Sequence, residues 1–260
     1  MERRRHSRAW IPLLLLVIAA ITAAFLLRSV FVVRNVTIMY RMDTERLPDE
    51  TVIRAADVDF GGSIFNVDEE KMRQGVNSLG KIRLEDVEVE LPNSITLYIT
   101  RREAQAMLLN MGEIRLLDED CCLVESVAEV PDTDLIYVNG ATVSSLTLGQ
   151  QMQAREGQVE AYCAIMQALI ANSAKHYVSE IELNDVSALR LITRTGIVVE
   201  LGDMQNMQNK IAWMRGAVAD LEQRGEGGGT LDVRSGTKAD YSRDGAQTAA
   251  PLDAERLLLE

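Results

Sequence analysis

Few residues of this chain could do chemistry, and they are scattered. It has two histidines, His6 and His176, and three cysteines, Cys121, Cys122 and Cys163. A metal site or a Cys–His pair needs partners converging on one point, and beyond residue 8 any such site would rest on His176 alone. That residue follows a helical stretch between Lys175 and Tyr177, a setting that predicts a surface histidine. An odd number of cysteines does not make a disulfide scaffold, and a bridge between neighbours would be strained. Cys163 reads as a small packing residue on a helix, and Cys121-Cys122 as part of a hairpin. Two-carboxylate or Ser–Lys chemistry would not need a histidine. Here, however, Glu88 and Glu90 share the wet face of an alternating strand, and Asp118-Glu119-Asp120 fill a turn. Gly225 to Gly229 follows a helix rather than opening one and has no lysine, so it is no phosphate loop; Gly227-Gly228-Gly229 reads as a hinge. No catalytic residue, metal or cofactor is expected. What remains is recognition by surface and strand edge.

The elements that would position such a surface start with a membrane signal. Arg3, Arg4, Arg5 and Arg8 precede Ala9 to Leu27, nineteen residues without a charge. As a helix rising about 1.5 Å per residue, this stretch matches the hydrocarbon core of a bilayer. Four arginines before it against Arg28 and Arg34 after it predict a cytoplasmic N-terminus, with residues 1–8, His6 among them, inside and the bulk outside. A cleaved signal peptide would have a shorter apolar core and a small-x-small site. Thr22-Ala23-Ala24 serves poorly, and Phe25, Leu26 and Leu27 continue the run. The net charge is −12; residues 1–8 carry +3, leaving −15 on the rest. That balance argues against nucleic acid, which is gripped by Lys and Arg on phosphates.

Beyond the span, Val36, Ile38 and Tyr40 alternate with Asn35, Thr37 and Met39 as in a half-buried strand. Asp49 and Glu50 open a helix carrying Val52, Ile53 and Ala56. Asn66 and Glu69 have capping-box spacing ahead of a helix with Met72, Val76 and Leu79 on one face, stopped at Gly80. Two strands follow, Val87-Val89-Leu91 and Ile95-Leu97-Ile99, each alternating with polar residues. Strand, helix, helix, strand, strand makes a compact α+β module. A second, larger α+β domain has strands at 106–109, 114–118, 122–127, 135–139, 181–183, 189–192 and 197–201. Helices are expected over 158–172 and along Met207, Ile211, Met214, Val218 and Leu221, before a strand at Thr230–Arg234. Residues 242–260 read as a flexible tail.

The run Leu91-Pro92-Asn93-Ser94-Ile95-Thr96-Leu97-Tyr98-Ile99-Thr100-Arg101-Arg102-Glu103, set after a membrane span and a β-α-α-β-β module, resembles the FtsQ/DivIB family of bacterial cell-division proteins. The match continues through the Asp118 to Cys122 hairpin, with Cys121 where the family has glycine. It ends at Gly229-Thr230-Leu231-Asp232-Val233-Arg234 followed by Ala239-Asp240-Tyr241. The chain departs from the pattern with Arg101 for glutamate, Ala104 for proline and Gly80-Lys81 for a Pro-aromatic pair. The resemblance implies a cytoplasmic tail (1–8), a transmembrane helix (9–27), a POTRA-like domain (31–103), a β domain (104–241) and a C-terminal tail (242–260). It implies a non-enzymatic divisome scaffold at the septum that docks FtsB/DivIC-like and FtsL-like coiled-coil division proteins and the septal wall-synthesis machinery. Thr230, Leu231, Asp232, Val233, Arg234, Lys238, Ala239 and Tyr241 would form the docking edge, with Arg234 meeting a partner acid and Tyr241 serving as an aromatic anchor. Rival readings are a membrane-tethered cell-wall-modifying enzyme and a POTRA-bearing translocation component. The first requires a carboxylate-dependent activity, and the second repeated units or a barrel-length series of strands.

Overall fold

The computed structural model describes residues 14–19, 22, 25, 29–41, 46–131 and 134–243. The expected 1–8 tail, much of the 9–27 span and residues 244–260 lie outside that set. Within the span, Leu14 to Ala19 are helical and exposed. Among the described residues no helix is long and apolar enough to cross a membrane. The chain divides into two compact units, Met1–Arg101 and Arg102–Glu260, and both are mixed α+β.

In the first unit, β1 (Asn35–Tyr40) runs parallel to β3 (Ser94–Arg101), which pairs antiparallel with β2 (Ile82–Glu90). Helices α1 (Asp49–Ala55) and α2 (Glu69–Asn77) cover one face. The alternation read from the sequence supplies the core: Ile82, Leu84, Val87, Ile95, Leu97 and Ile99 from the sheet meet Val52, Met72 and Val76 from the helices. The other face stays polar, with the Tyr98 hydroxyl donating to Glu88 at 2.7 Å. Two local expectations change. Asn66 belongs to a short 3-10 turn, and the cap of α2 is Asp68, whose carboxylate accepts from the Lys71 N–H at 3.0 Å. Val89 and Leu91, expected to face inward, are exposed, because their strand runs on past the helices that cover Ile82 to Val87. Helices α1 and α2 touch through Gly75, where a Cβ would lie 1.9 Å from the Ala55 carbonyl oxygen.

The second unit is a nine-stranded sheet in the order β14-β13-β12-β11-β10-β7-β4-β5-β6. Its strands are β4 (Ala106–Asn110), β5 (Glu113–Leu117), β6 (Leu123–Val127), β7 (Ile136–Asn139), β10 (Val178–Glu182), β11 (Leu189–Thr193), β12 (Val198–Gly202), β13 (Thr230–Asp232) and β14 (Asp240–Ser242). A small pair, β8 (Val143–Ser145) and β9 (Gln153–Ala154), stands apart. Two parallel crossovers organise the sheet. Helix α3 (Gln158–Ala171) lies between β7 and its parallel neighbour β10, and α4 (Met207–Gln223) between β12 and its parallel neighbour β13. Their apolar faces (Tyr162, Ile165, Met166 and Leu169; Ile211, Met214, Val218 and Leu221) share one core with Leu108, Ile136, Ile181, Leu191, Val199 and Leu231. Met107, Ile114, Leu116, Leu135 and Tyr137 point the other way and form a satellite cluster with Val130. Strand β4 therefore alternates between two apolar clusters.

A Gly75→Ala chain should lose about 1–3 kcal/mol of stability, because the clashing group is backbone and cannot swing aside. Thermal denaturation of the variant checks this, and an unchanged midpoint would show that the two helices can separate without cost.

Candidate functional site

The C-terminal residues singled out by sequence come together on one strand pair, but in different roles. β13 is an interior strand, parallel to β12 (Val198↔Thr230, Val199↔Leu231) and antiparallel to β14 (Thr230↔Ser242, Leu231↔Tyr241, Asp232↔Asp240). Leu231 and Val233 are fully buried in the helix-side core, while Thr230 and Asp232 are half-buried. The outermost strand at this end is β14. Asp240 and Ser242 belong to that edge but are not among the docking residues expected from sequence, because a three-residue strand shows no apolar alternation.

The charged candidates form ion pairs within the unit. Asp232 accepts from the Arg234 side chain, Nε at 3.0 Å and NH2 at 2.5 Å, and from the Arg234 backbone N–H at 3.0 Å. Glu200 of β12 lies 3.6 Å from Arg234 Nε. Strand register explains the approach, since Glu200 stands opposite Asp232. Lys238 reaches the Asp240 carboxylate at 2.5 Å. Arg234 and Lys238 both stay more than half exposed, so either could meet a partner. The Arg234 hydrogen bond holds the Asp232 carboxyl below the usual carboxylate range, and the same contact raises Arg234. Tyr241 turns inward: its ring packs on the helix-side core and its hydroxyl donates to the Gly228 carbonyl at 3.0 Å. Ala239 packs there too.

The expected hinge at Gly227-Gly228-Gly229 is a pinned strap. Gly228 N–H donates to Thr195 O at 2.9 Å, and Val198 N–H to Gly229 O at 2.9 Å. At Gly229 the backbone has φ +86°, and a Cβ would meet Ser242 O and the Tyr241 ring at 2.8 Å. Glycine is required because β14 closes over it.

The other end of the sheet is finished differently. The first residue of β6, Leu123, donates to Gln150 O at 3.1 Å and accepts from Gly149 N–H at 2.7 Å, and Met152 N–H donates to Cys121 O at 2.8 Å. A returning segment thus covers the start of that edge, whereas no described strand lies beyond β14.

The buried polar residue that sequence reading missed is Arg102. Its guanidinium pairs with Asp118, and both side chains are almost wholly out of solvent. Asp118 Oδ1 also accepts from the N–H groups of Asp120 at 3.0 Å and Cys122 at 2.7 Å, and its carbonyl accepts from the Tyr162 hydroxyl at 2.7 Å. Burial alone would lower Arg102, but the charge of Asp118 and the nearby Cys122 outweigh it and raise the guanidinium. Gln158 was likewise missed. Fully buried, it accepts from Thr142 N–H at 2.9 Å and donates to the carbonyls of Gly140 at 2.8 Å and Leu183 at 2.7 Å. A buried Arg or Gln leaves no periodic signal, since its partners lie far along the chain.

His176 is exposed on a 3-10 turn, its ring 4.0 Å from that of Tyr177. The three cysteines are free. Burial, with nearby carboxylates and thiols, raises all three thiols and pushes Cys163 up to about 11, which makes them poor nucleophiles at neutral pH. Cys121 has φ +64°, the left-handed backbone that suits the glycine expected at its place. Among the described residues no three His, Cys, Asp or Glu side chains are placed to hold a metal ion.

A two-unit α+β chain, closed by a parallel crossover and a terminal strand pair, is the class the fold defines. Residues 106–234 match the family model for the C-terminal domain of cell division protein FtsQ/DivIB. The chain is also similar to the cell division protein DivIB of Clostridium botulinum strain Loch Maree / Type A3, at 18% identity over 211 residues, covering 81% of each chain. Its similarity to the cell division protein DivIB of strain Hall is 17% over 211 residues, again with 81% of each covered. This chain belongs to the FtsQ/DivIB family of cell-division proteins. Members are non-enzymatic division scaffolds, so its work is in cell division, in association with the septum and through protein partners of the divisome.

Two predictions follow from the polar contacts. Asp118→Asn keeps an acceptor for the two turn N–H groups but strands the buried Arg102 charge, and should cost about 3–5 kcal/mol. Asp118→Ala should cost about 1–3 kcal/mol more, for the N–H groups left unpaired; urea denaturation of both variants measures the ladder. At the edge, the depressed pKa of Asp232 contributes stability that is complete above the ordinary carboxylate range and is lost as pH falls through the depressed folded value. Arg234→Ala should move the Asp232 titration, followed by carboxyl carbon NMR, back up toward ordinary carboxylates.

Proposed function

We propose that this protein is a single-span divisome scaffold with its N-terminus in the cytoplasm, residues 9–27 crossing the membrane and the bulk outside. Residues 31–103 form a POTRA-like domain, residues 104–241 a β domain and residues 242–260 a flexible tail. The β domain docks coiled-coil division proteins of the FtsB/DivIC and FtsL type, and the assembly engages the septal wall-synthesis machinery. Docking is by strand addition along β14, extending the nine-stranded sheet by one. The observation that carries this reading is the asymmetry of the two sheet edges: a returning segment covers the start of β6, while β14 is the last described strand on its side.

Thr230, Leu231, Asp232 and Val233 act beneath the docking strand, holding β14 in register through β13. Ala239 and Tyr241 fix β14 to the core. Arg234 and Lys238 stand at the border, where they can exchange an internal carboxylate for one on the partner. The exchange gives specificity more than affinity, because each cation already has an acid. The membrane span confines both partners to one plane and raises their effective concentration.

The test compares capture of a coiled-coil partner by three forms: the full chain, Arg234→Ala, and a chain ending at Thr237 that lacks β14 but keeps β13. Loss of β14 should abolish capture, and Arg234→Ala should weaken it without abolishing it. Undiminished capture by a folded chain ending at Thr237 would place the docking surface elsewhere.

A further inference from the structure

All four phenylalanines of the 260 residues, Phe25, Phe31, Phe60 and Phe65, lie in the first quarter of the chain. Three of them gather where the chain enters the N-terminal unit. There Ile64 N–H donates to Phe31 O at 3.1 Å, Val33 N–H to Gly62 O at 3.0 Å and Gly61 N–H to Val33 O at 2.9 Å. These bonds lay the 59–65 loop along the entering strand. Arg34 and Asn35 both donate to Asn93 O, at 2.9 and 3.2 Å, which brings the β2–β3 turn to the same end. Three segments remote in sequence thus meet here, and two of them, the 59–65 loop and the β2–β3 turn, turn large apolar side chains to solvent. Phe60 is 53% exposed, Phe65 67% and Leu91 60%. Phe65 meets Phe31 at the margin of the core, the rings tilted by 39° with centroids 5.3 Å apart.

A water-facing surface rarely gathers large apolar side chains from two remote segments without a use. Place in the chain says what covers them. Phe31 comes four residues after Leu27, the last residue of the apolar run, so at most about 14 Å of backbone separates them. The headgroup layer flanking the hydrocarbon core is itself about 5–7 Å thick. A patch at this end is therefore within reach of the depth where Phe and Leu of interfacial segments reside. The charges around it, Arg34 and Lys71 with Asp57, Asp59, Asp68 and Glu90, are of both signs with acids in excess, so apolar insertion must do the holding rather than attraction to anionic lipid.

We propose that this end of the N-terminal unit is a membrane-contact surface. Phe60, Phe65 and Leu91 enter the headgroup layer of the bilayer that residues 9–27 span, and fix the unit's orientation against it. The proposal rests on the single-span reading above.

The experiment uses the full chain in phosphatidylcholine/phosphatidylglycerol vesicles, with Trp10→Phe and Trp213→Phe removing native tryptophan emission. A single reporter, Phe65→Trp or Phe60→Trp, is compared with Met111→Trp, which lies on the exposed β4–β5 turn. Phosphatidylcholine brominated at acyl positions 6 and 7 is the quencher, and vesicle flotation scores insertion. The expected result is a blue-shifted emission and severalfold stronger quenching at 60 and 65 than at 111, in chains that float. Floating chains with equal quenching at all three positions would overturn the membrane contact and leave the span intact. Chains that do not float would overturn the span, and the contact with it. A blue shift at 65 that needs an added division protein, with no lipid quenching, would make the patch a protein-docking site and defeat the proposal.

Discussion

The C-terminal unit hangs on the carboxylate of Asp118. A charged pair this deeply buried has lost its water, and it is tolerable only if every lone pair and N–H finds a partner. Asp118 meets that demand by serving four groups at once: the Arg102 guanidinium, two N–H groups of its own turn and, through its carbonyl, the Tyr162 hydroxyl. These partners come from three different elements. Arg102 opens the unit, the turn joins β5 to β6, and Tyr162 belongs to α3. A single residue therefore ties the entry of the chain, one end of the sheet and the first crossover helix together. The same turn sets Cys121 at φ +64°, so that its carbonyl can receive the Met152 N–H that begins the covering of the β6 edge.

From that fixed end the sheet grows by crossovers. β4, β7 and β10 are mutually parallel, and the span from β7 to β10 buries α3. The repeat of this step from β12 through α4 to β13 buries the second helix beside the first. Two helices cover one face only. Toward β6 the opposite face needs its own apolar cluster, whereas toward β14 it turns charged, with Glu182, Arg190, Glu200, Asp232 and Asp240 in successive register. Alternating signs along part of that row let neighbouring strands attract across the sheet.

Periodicity made most of this architecture legible. The helical stripes at Val159 to Leu169 and Met207 to Leu221, and the alternating strands in both units apart from Val89 and Leu91, stand where the apolar spacing put them, because burial on one face is what that spacing encodes. The resemblance to FtsQ/DivIB proteins, carried by the Leu91–Glu103 run and the terminal Gly229–Arg234 stretch, was legible for the same reason: both runs are strands with fixed ends. Long-range polar choices were not legible. Arg102 looks like a surface arginine until Asp118, sixteen residues away, folds over it. Gln158 looks like an ordinary helix N-terminal residue, and its three bonds reach residues 16 to 25 positions away. At the candidate edge, the sequence placed a strand at Thr230–Asp232 but did not show the layering. Whether Thr230–Asp232 is an interior or an outer strand depends on whether Asp240–Ser242 pairs with it, and three residues carry too little pattern to say.

That layering changes what the edge can be. An outermost β13, with the buried Leu231 and Val233 anchoring it, would be a rigid but sticky template, the kind of edge that proteins usually blunt. A three-residue β14 is a milder one. It is short, it is bordered by the Lys238–Asp240 and Arg234–Asp232 pairs, and it is held from behind by the Tyr241 hydroxyl on Gly228. Shortness and flanking charge discourage pairing with a second copy of the same edge. A partner strand that brings a cation to Asp240 or an acid to Arg234 would find complementary charge there. The features that protect the edge from itself are then the ones by which a different chain can be recognised.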